Sequence, residues 1–381
     1  MAESVNLHTI TGQLPSARPY RYRIMERILF TGASILAVLG VLLQGPWQTA
    51  LAILAVALIA FLQIRRSRLL AAFATGAMAL VAANSLLALV DEPGATNAGF
   101  WCLVAAAWLL AWGSVGQLAA IRTLSRSYRT FLGVLIPVLF GLWLLILWEL
   151  LTRGLNVPQV LLPAPSQIGQ RFVESSAILW MDFKQTFLRA VLIGYAIGCG
   201  AGFMVAILID RSPFLQRGLL PIGNLVSALP IVGVAPIMVM WFGFDWPSKA
   251  AVVIIMTFFP MLVNTVSGLA AAQPMQHDLM KTYAASYWQS LFKLRIPEAL
   301  PFIFNALKIN STLAMIGAIV AEFFGTPTLG MGFRISTEVG RMNVDMVWAE
   351  IAVAALAGSL FYGLVALLER IFTFWHPSVR S

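Results

Sequence analysis

Charge is what this sequence has least of. Only 11% of its 381 residues are charged, against roughly a quarter in an ordinary soluble domain, so a solvated surface cannot be built around a chain of this length. Cysteine is almost absent: Cys102 and Cys199 both fall inside apolar runs, which argues against a structural disulfide and gives no metal-ligand spacing. Histidine is limited to His8, His277 and His376, all outside those runs. With no ligand set and no paired nucleophile and base, an intramembrane enzyme has nothing to work with. A phosphate loop of the form G-x-x-x-x-G-K-[ST] is missing too, and none of the five lysines follows a glycine, so the chain cannot cradle a nucleotide in that way. No cofactor, metal or catalytic residue is expected on it.

What the sequence has in abundance is apolar residues, 60% of the total. They fall in runs of about 20, the length that crosses a bilayer core as a helix. Four runs lie at 28–44, 47–63, 69–90 and 99–120, and six more at 130–152, 185–209, 218–243, 249–272, 302–324 and 346–369. The expected fold is therefore an all-α integral membrane protein with about ten transmembrane helices and the lipid bilayer as its solvent. In the first four, small residues such as Ala71, Ala72, Gly76 and Ala77 suit close helix packing. Residues 1–24 read as a polar tail, 25–129 as an accessory four-helix region, and 130–377 as a second region richer in proline, glycine and intramembrane polar residues.

The net charge of +9 raises the question of a nucleic-acid partner. Its placement answers it. Arg65, Arg66 and Arg68, then Arg122, Arg126 and Arg129, then Lys281, Lys293 and Arg295, and finally Arg370 and Arg380 occupy connectors that fall on one side of the membrane. This is the positive-inside pattern, which puts both termini in the cytoplasm and needs no nucleic acid. Arg334 and Arg341 run against it. Around Arg18, Arg21 and Arg23 no small-residue cleavage site follows a short apolar core, so no removed signal peptide is expected.

Polar and helix-breaking residues inside the spans mark candidate functional positions. Pro221, Pro230 and Pro236 interrupt one run, and in lipid such breaks survive only where the loosened backbone faces protein or a watery cavity. Lining of a pathway and plain kinking against neighbours both remain open. Glu322 is an ionisable group in a span, with Arg189 and Lys308 within or near others; such groups are costly in lipid. For Glu322 a structural contact and a gating role stand side by side. Asn264 and Thr265 either line a path or bond a neighbouring helix.

The connector from His277 to Pro301 reads H-D-L-M-K-T-Y-A-A-S-Y-W-Q-S-L-F-K-L-R-I-P-E-A-L-P. It resembles the coupling loop of ATP-binding-cassette importer permeases, E-A-A, three residues, Gly, nine residues, Ile, one residue, Leu-Pro. Asp278, Leu279 and Met280 stand at E-A-A, Ala284 at Gly, Leu294 at Ile, and Ile296 with Pro297 at Leu-Pro. Within these permeases the chain is similar to the nitrate/taurine/sulfonate group in four further motifs. They are L-P-x-P-S (Leu162, Pro163, Ala164, Pro165, Ser166), P-x-x-x-x-A-P-x-x-x-x-W-F-G (Pro230, Ala235, Pro236, Trp241, Phe242, Gly243), F-F-P-x-x-x-N-T-x-x-G (Phe258, Phe259, Pro260, Asn264, Thr265, Gly268), and an A-E pair (Ala321, Glu322) followed by G-x-G (Gly330, Gly332).

The resemblance covers about 130–377 and implies that the last six spans form a type I importer core in the inner membrane. It implies two separate ATPase subunits that bind the ATP and Mg, an external solute-binding protein, and a permease homodimer. Asp278, Tyr283, Ala284, Ala285, Ser286, Leu294, Ile296 and Pro297 are the expected ATPase-coupling residues; Pro230, Pro236, Asn264, Thr265 and Glu322 are the expected pathway or gating residues. The cargo it implies is either an oxyanion or a small heterocycle, and the lack of an arginine cluster in the core spans leans to the heterocycle. The competing reading is a secondary transporter driven by an ion gradient, since broken helices and buried charges occur there as well.

Overall fold

The computed structural model describes residues 18–43, 45–47, 49–51, 53–54, 68–120, 126–227, 230–325 and 328–375. Regular structure among them is helical. In chain order the helices are α1 (Arg18–Leu42), α2 (Arg68–Leu89), α3 (Ala98–Ala119), α4 (Arg126–Gly154), α5 (Pro165–Glu174), α6 (Ser176–Arg211), α7 (Pro213–Ser227), α8 (Ile231–Phe242), α9 (Trp246–Leu269), α10 (Pro274–Thr282), α11 (Tyr287–Glu322), α12 (Met331–Gly340) and α13 (Val344–Phe372). Eight are long and apolar enough to cross a membrane: α1, α2, α3, α4, α6, α9, α11 and α13. Of the other two expected spans, the run at 47–63 lies mostly outside the described residues. The run at 218–243 is not one helix. It is divided between α7 and α8, with Pro230 as the extended residue that opens α8 (ψ 119°). Proline costs little there because the first N–H groups of a helix have no partner within it. Pro221 and Pro236 are carried inside α7 and α8 instead.

Contacts divide the chain into two compact units, residues 1–166 and 167–381. The first is held by Phe30, Phe100, Leu103 and Leu110 with Ala33, Ala37 and Ala82, and Trp143 and Leu150 of α4 join that core. The boundary between units thus falls after α4, whereas the sequence reading set its boundary before that helix. Ala72 is buried as its small size suggests, but Ala77 is exposed. The L-P-x-P-S segment closes this unit: the Ser166 N–H and Oγ donate to the Glu149 carboxylate at 2.9 and 2.6 Å, and the Arg153 Nη1 pairs with it at 3.2 Å.

The second unit is built around α9, which packs against both α6 and α11. Gly194, Gly198 and Gly202 recur every fourth residue and turn one stripe of α6 to α9. A Cβ on Gly194 would meet Val253, on Gly198 would strike Thr257, and on Gly202 would sit 2.5 Å from the Phe258 carbonyl oxygen. Small residues at this spacing let two backbones approach in a membrane, where the hydrophobic effect does not drive helices together. Asn310 of α11 adds a polar tie, its Nδ2 donating to the Thr257 carbonyl at 2.7 Å and to the Cys199 Sγ at 3.2 Å. At one end of the bundle Lys308 pairs with Glu369 of α13 at 2.7 Å. Residues 153–184 contain α5 and the first turns of α6, and α6 runs through a π-helical segment at Lys184–Val191.

Candidate functional site

The 277–301 segment folds as a short helix, a tight reversal and the start of a very long helix. Pro274 opens α10, and the Gln273 N–H donates to Gln276 Oε1 at 2.8 Å. The helix ends with the Ala285 N–H on the Met280 carbonyl at 3.0 Å and the Ala284 N–H on the Lys281 carbonyl at 2.8 Å. This pair of bonds requires a left-handed residue between them. That residue is Ala284, at φ +50°, the position where the related coupling-loop pattern carries glycine. The next helix begins at once: the Ser286 Oγ accepts from the Gln289 N–H while the Gln289 Oε1 accepts from the Ser286 N–H, a reciprocal cap.

The reversal presents Met275, Leu279 and Tyr283 four residues apart, all exposed, Tyr283 at 77%. Asp278, Ala284 and Ser286 are exposed beside them and Ala285 is half-buried; Asp278 pairs with Lys281 at 3.1 Å. Leu294, Ile296 and Pro297 are set apart from this surface. Ile296 packs against the core formed by Met261, Leu269, Leu291 and Ala299. Pro297 cannot donate within the helix, and a π-helical turn at Leu291–Arg295 immediately precedes it, shifting the ladder of bonds. The loop is also rooted by charge: Arg295 grips Asp210 at the end of α6 through two bonds of 2.7 and 2.6 Å and donates from Nε to the Leu269 carbonyl at 3.0 Å, while the Tyr287 hydroxyl donates to Asp210 at 2.9 Å.

A second polar constellation sits at the far end of α11. The first three N–H groups around the start of α12 are each taken by a side chain from another helix. Gly330 donates to Asp182 Oδ1 at 2.6 Å, Met331 to Thr186 Oγ1 at 2.8 Å, and Gly332 to Glu322 Oε2 at 2.7 Å. Thr186 in turn donates to the Glu322 carboxylate at 2.8 Å. Helix N-termini carry unpaired donors and a positive dipole end, so buried carboxylates are well placed there. Gly330 sits at φ +134°, and a Cβ on Gly332 would strike the Ile319 carbonyl oxygen. The A-E pair and the G-x-G motif are therefore one arrangement. Arg334 completes it with a bond of 2.9 Å to Asp182, and Arg341 pairs with Glu338 at 3.1 Å. The two arginines that ran against the orientation rule are accounted for by these local partners.

The remaining expected pathway residues are carried by α8 and α9. Pro230 is exposed and Pro236 half-buried on α8. Asn264 donates to the Pro260 carbonyl of its own helix at 2.8 Å, and Thr265 is wholly buried with its hydroxyl meeting no partner among the described residues. Arg189 donates to Gln185 at 3.1 Å. Four residues of the buried constellation, Asp182, Thr186, Lys249 and Glu350, escaped the sequence reading. Lys249 and Glu350 are wholly buried, and neither Glu350 oxygen accepts a hydrogen bond among the described residues. Asp182, Lys249 and Glu350 were visible in the sequence as charged residues at the edges of or within apolar runs; Thr186 carried no such signal.

Residues 194–374 match the family described as the binding-protein-dependent transport system inner membrane component. The formylaminopyrimidine transport permease protein ThiX of Halalkalibacterium halodurans is 32% identical over 252 residues, 66% of this chain and 98% of that relative. The chain belongs to this family of ABC transport permeases. The riboflavin transport system permease protein RibX of Chloroflexus aurantiacus is 30% identical over 260 residues, covering 68% of this permease and 95% of that protein. The taurine transport system permease protein TauC of Escherichia coli is 28% identical over 264 residues, covering 68% and 93%. The permease is thus a multi-pass membrane transport subunit of the nitrate/taurine-like kind, and about a third of it has no counterpart in ThiX. The matched residues 194–374 contain both the coupling segment and the glycine pair that Asp182 and Glu322 hold.

Proposed function

We propose that this permease forms the transmembrane pathway of an importer in the inner membrane, with both termini cytoplasmic. In this reading ATP, with its Mg, is hydrolysed on two separate ATPase subunits and the solute arrives on a separate binding protein. The observation that carries the reading is the α10 reversal. It displays an exposed apolar ridge, Met275, Leu279 and Tyr283, on a backbone fixed by caps at both ends. Such a ridge, rigid and too small to fold alone, suits a cleft on a soluble partner. The ionic grip of Arg295 on Asp210 makes the loop move as one body with α6 and α11.

We place the pathway at a homodimer interface along α8. Its 12 residues span about 18 Å at 1.5 Å per residue, short of the roughly 30 Å hydrocarbon core. Both its ends, Pro230 and the left-handed Gly243 (φ +81°), interrupt the backbone ladder, which lipid cannot satisfy. One side packs through Ala235 and Met238 against Val252 and Ala321, while Met240 and Trp241 are 82% and 70% exposed. A second copy covers that side and the path runs between the two. The exposed large side chains of α8, Val232, Ile237, Met240, Trp241 and Phe242, are all uncharged, which favours a flat heterocycle as cargo over an oxyanion; two relatives carry formylaminopyrimidine and riboflavin in their names.

The test is reconstitution in vesicles with the ATPase and binding protein that co-purify with it, with riboflavin, a formylaminopyrimidine, taurine and nitrate as probes. Uptake of a heterocycle that requires ATP, and cross-linking of Met240→Cys to itself between copies, are expected. Replacing Tyr283 and Ala285 by glutamate is expected to abolish co-purification of the ATPase. Uptake that ignores ATP and collapses with the proton gradient would instead establish the secondary-transporter reading, and selective taurine or nitrate uptake would reverse the choice of cargo.

A further inference from the structure

The coupling segment and the short helix α8 lie on different parts of the unit, and something must join them if motion at one is to reach the other. α11 begins inside the coupling segment at Tyr287 and continues for 36 residues to Glu322, about 54 Å at 1.5 Å per residue. Its far end passes directly into Gly325. There the Lys249 side chain, with no exposed surface, donates from Nζ to two backbone carbonyls: to Phe244, just beyond the end of α8, at 2.5 Å, and to Gly325. Gly325 is also packed against the Phe244 ring, where a Cβ would come within 2.7 Å, and its φ of +144° suits glycine. One ammonium therefore straps the terminus of α8 to the terminus of α11.

A buried lysine is expensive, and a simple apolar contact would hold two segments together more cheaply. An ammonium differs in being able to hold two carbonyls from separate elements at once, at fixed distance, with directional bonds. Ala235 and Met238 of α8 also pack on Ala321 of α11, an apolar contact without directional bonds, and the neighbouring polar contacts hold other elements. Asp182, Thr186 and Glu322 secure the start of α12, Asp245 caps α9 and accepts from Gln185 at 2.9 Å, and Ser248 donates to the Asp245 carbonyl at 2.9 Å. Among the described residues, the hydrogen bonds that link the residues just past α8 to the residues just past α11 are the two from Lys249.

We infer that Lys249 is a positioning residue for transport, transmitting movement of α11 from the ATPase-coupling segment to the pathway helix α8. The inference rests on the importer reading above. Its test separates the two. In a chain with Cys102 and Cys199 replaced by alanine, an environment-sensitive fluorophore is placed at Trp241→Cys on α8 or at Phe324→Cys beyond α11, and the reconstituted complex is given ATP. In the native background both fluorophores should respond with the same rate. In Lys249→Met the response at 324 and the ATPase rate should persist, the response at 241 should be lost, and riboflavin or formylaminopyrimidine uptake per ATP should fall roughly 5-fold or more. Lys249→Arg, which can still donate to both carbonyls, should restore part of the response at 241.

An unchanged response at 241 in Lys249→Met overturns the strap while leaving the importer reading intact. So does a native chain in which 241 and 324 respond at different rates, a result that does not depend on the variant folding. No ATP response at either position in the native chain overturns the importer reading and the strap with it.

Discussion

At the residue scale, the coupling reversal turns on a single backbone conformation. Ala284 occupies the left-handed region at φ +50°, where a Cβ costs about 1 kcal/mol relative to glycine. Ala284→Gly should therefore raise the thermal unfolding midpoint of the detergent-solubilised permease, with co-purification of the ATPase retained. Ala284→Val puts a β-branched residue where such residues hardly occur and should lose both, as pull-down and melting would show. Glu322 makes the second residue-scale case. Removing its carboxylate in Glu322→Ala leaves the buried Gly332 N–H and Thr186 hydroxyl without the acceptor they have now, a loss of about 3 kcal/mol. The expected readout is a lowered midpoint together with faster proteolysis between α11 and α12. The sequence exposed Glu322 because a carboxylate in an apolar run is conspicuous, and it exposed the glycine pair as a motif. That the two are bonded to each other could not be read, because chain spacing does not say which backbone N–H a carboxylate will meet.

At the scale of elements, the glycine stripe of α6 offers a prediction with its own control. Gly198 faces Thr257 and Ile254, whereas a Cβ on Gly200 would meet nothing within 4 Å. Gly198→Val should cost about 2 kcal/mol or more through overpacking and reduce the yield of monodisperse protein on size exclusion; Gly200→Ala should leave that yield unchanged. The stripe was legible as a four-residue repeat of small residues, but its partner was not. Periodicity gives a face and says nothing about which of nine other spans meets it. The same limit applies to 218–243: three prolines announced an irregular element, and which of them breaks the helix was decided by packing. Pro236 is tolerated within α8, while Pro230 stands at its start with no intrahelical bond to lose.

At the scale of the whole molecule, residues 1–166 form a unit with its own apolar core, and the family match begins only at residue 194. ThiX aligns along 98% of its length with 66% of this chain, so about a third of this chain has no counterpart in that permease. A truncated chain beginning at Ser125, which keeps α4 and the whole second unit, is expected to retain ATP-dependent uptake within about 2-fold, the span of a few tenths of a kcal/mol. Loss of uptake with the protein still present in the membrane would assign the first region a part in the transport cycle.

Membrane residence and helical class were determined by the sequence alone, because each is written in local terms: the low charge and long apolar runs leave lipid as the only compatible solvent. Eight long helices and the family match agree with that. The tertiary structure alone decided where the intramembrane charges go. Lys249, Asp182 and Arg334 each find partners tens of residues away or more, from the 76-residue separation of Lys249 and Gly325 to the 152 between Asp182 and Arg334. In a medium without water a charge must be paired by whatever the fold brings beside it, and that neighbour is fixed by helix packing rather than by any local pattern.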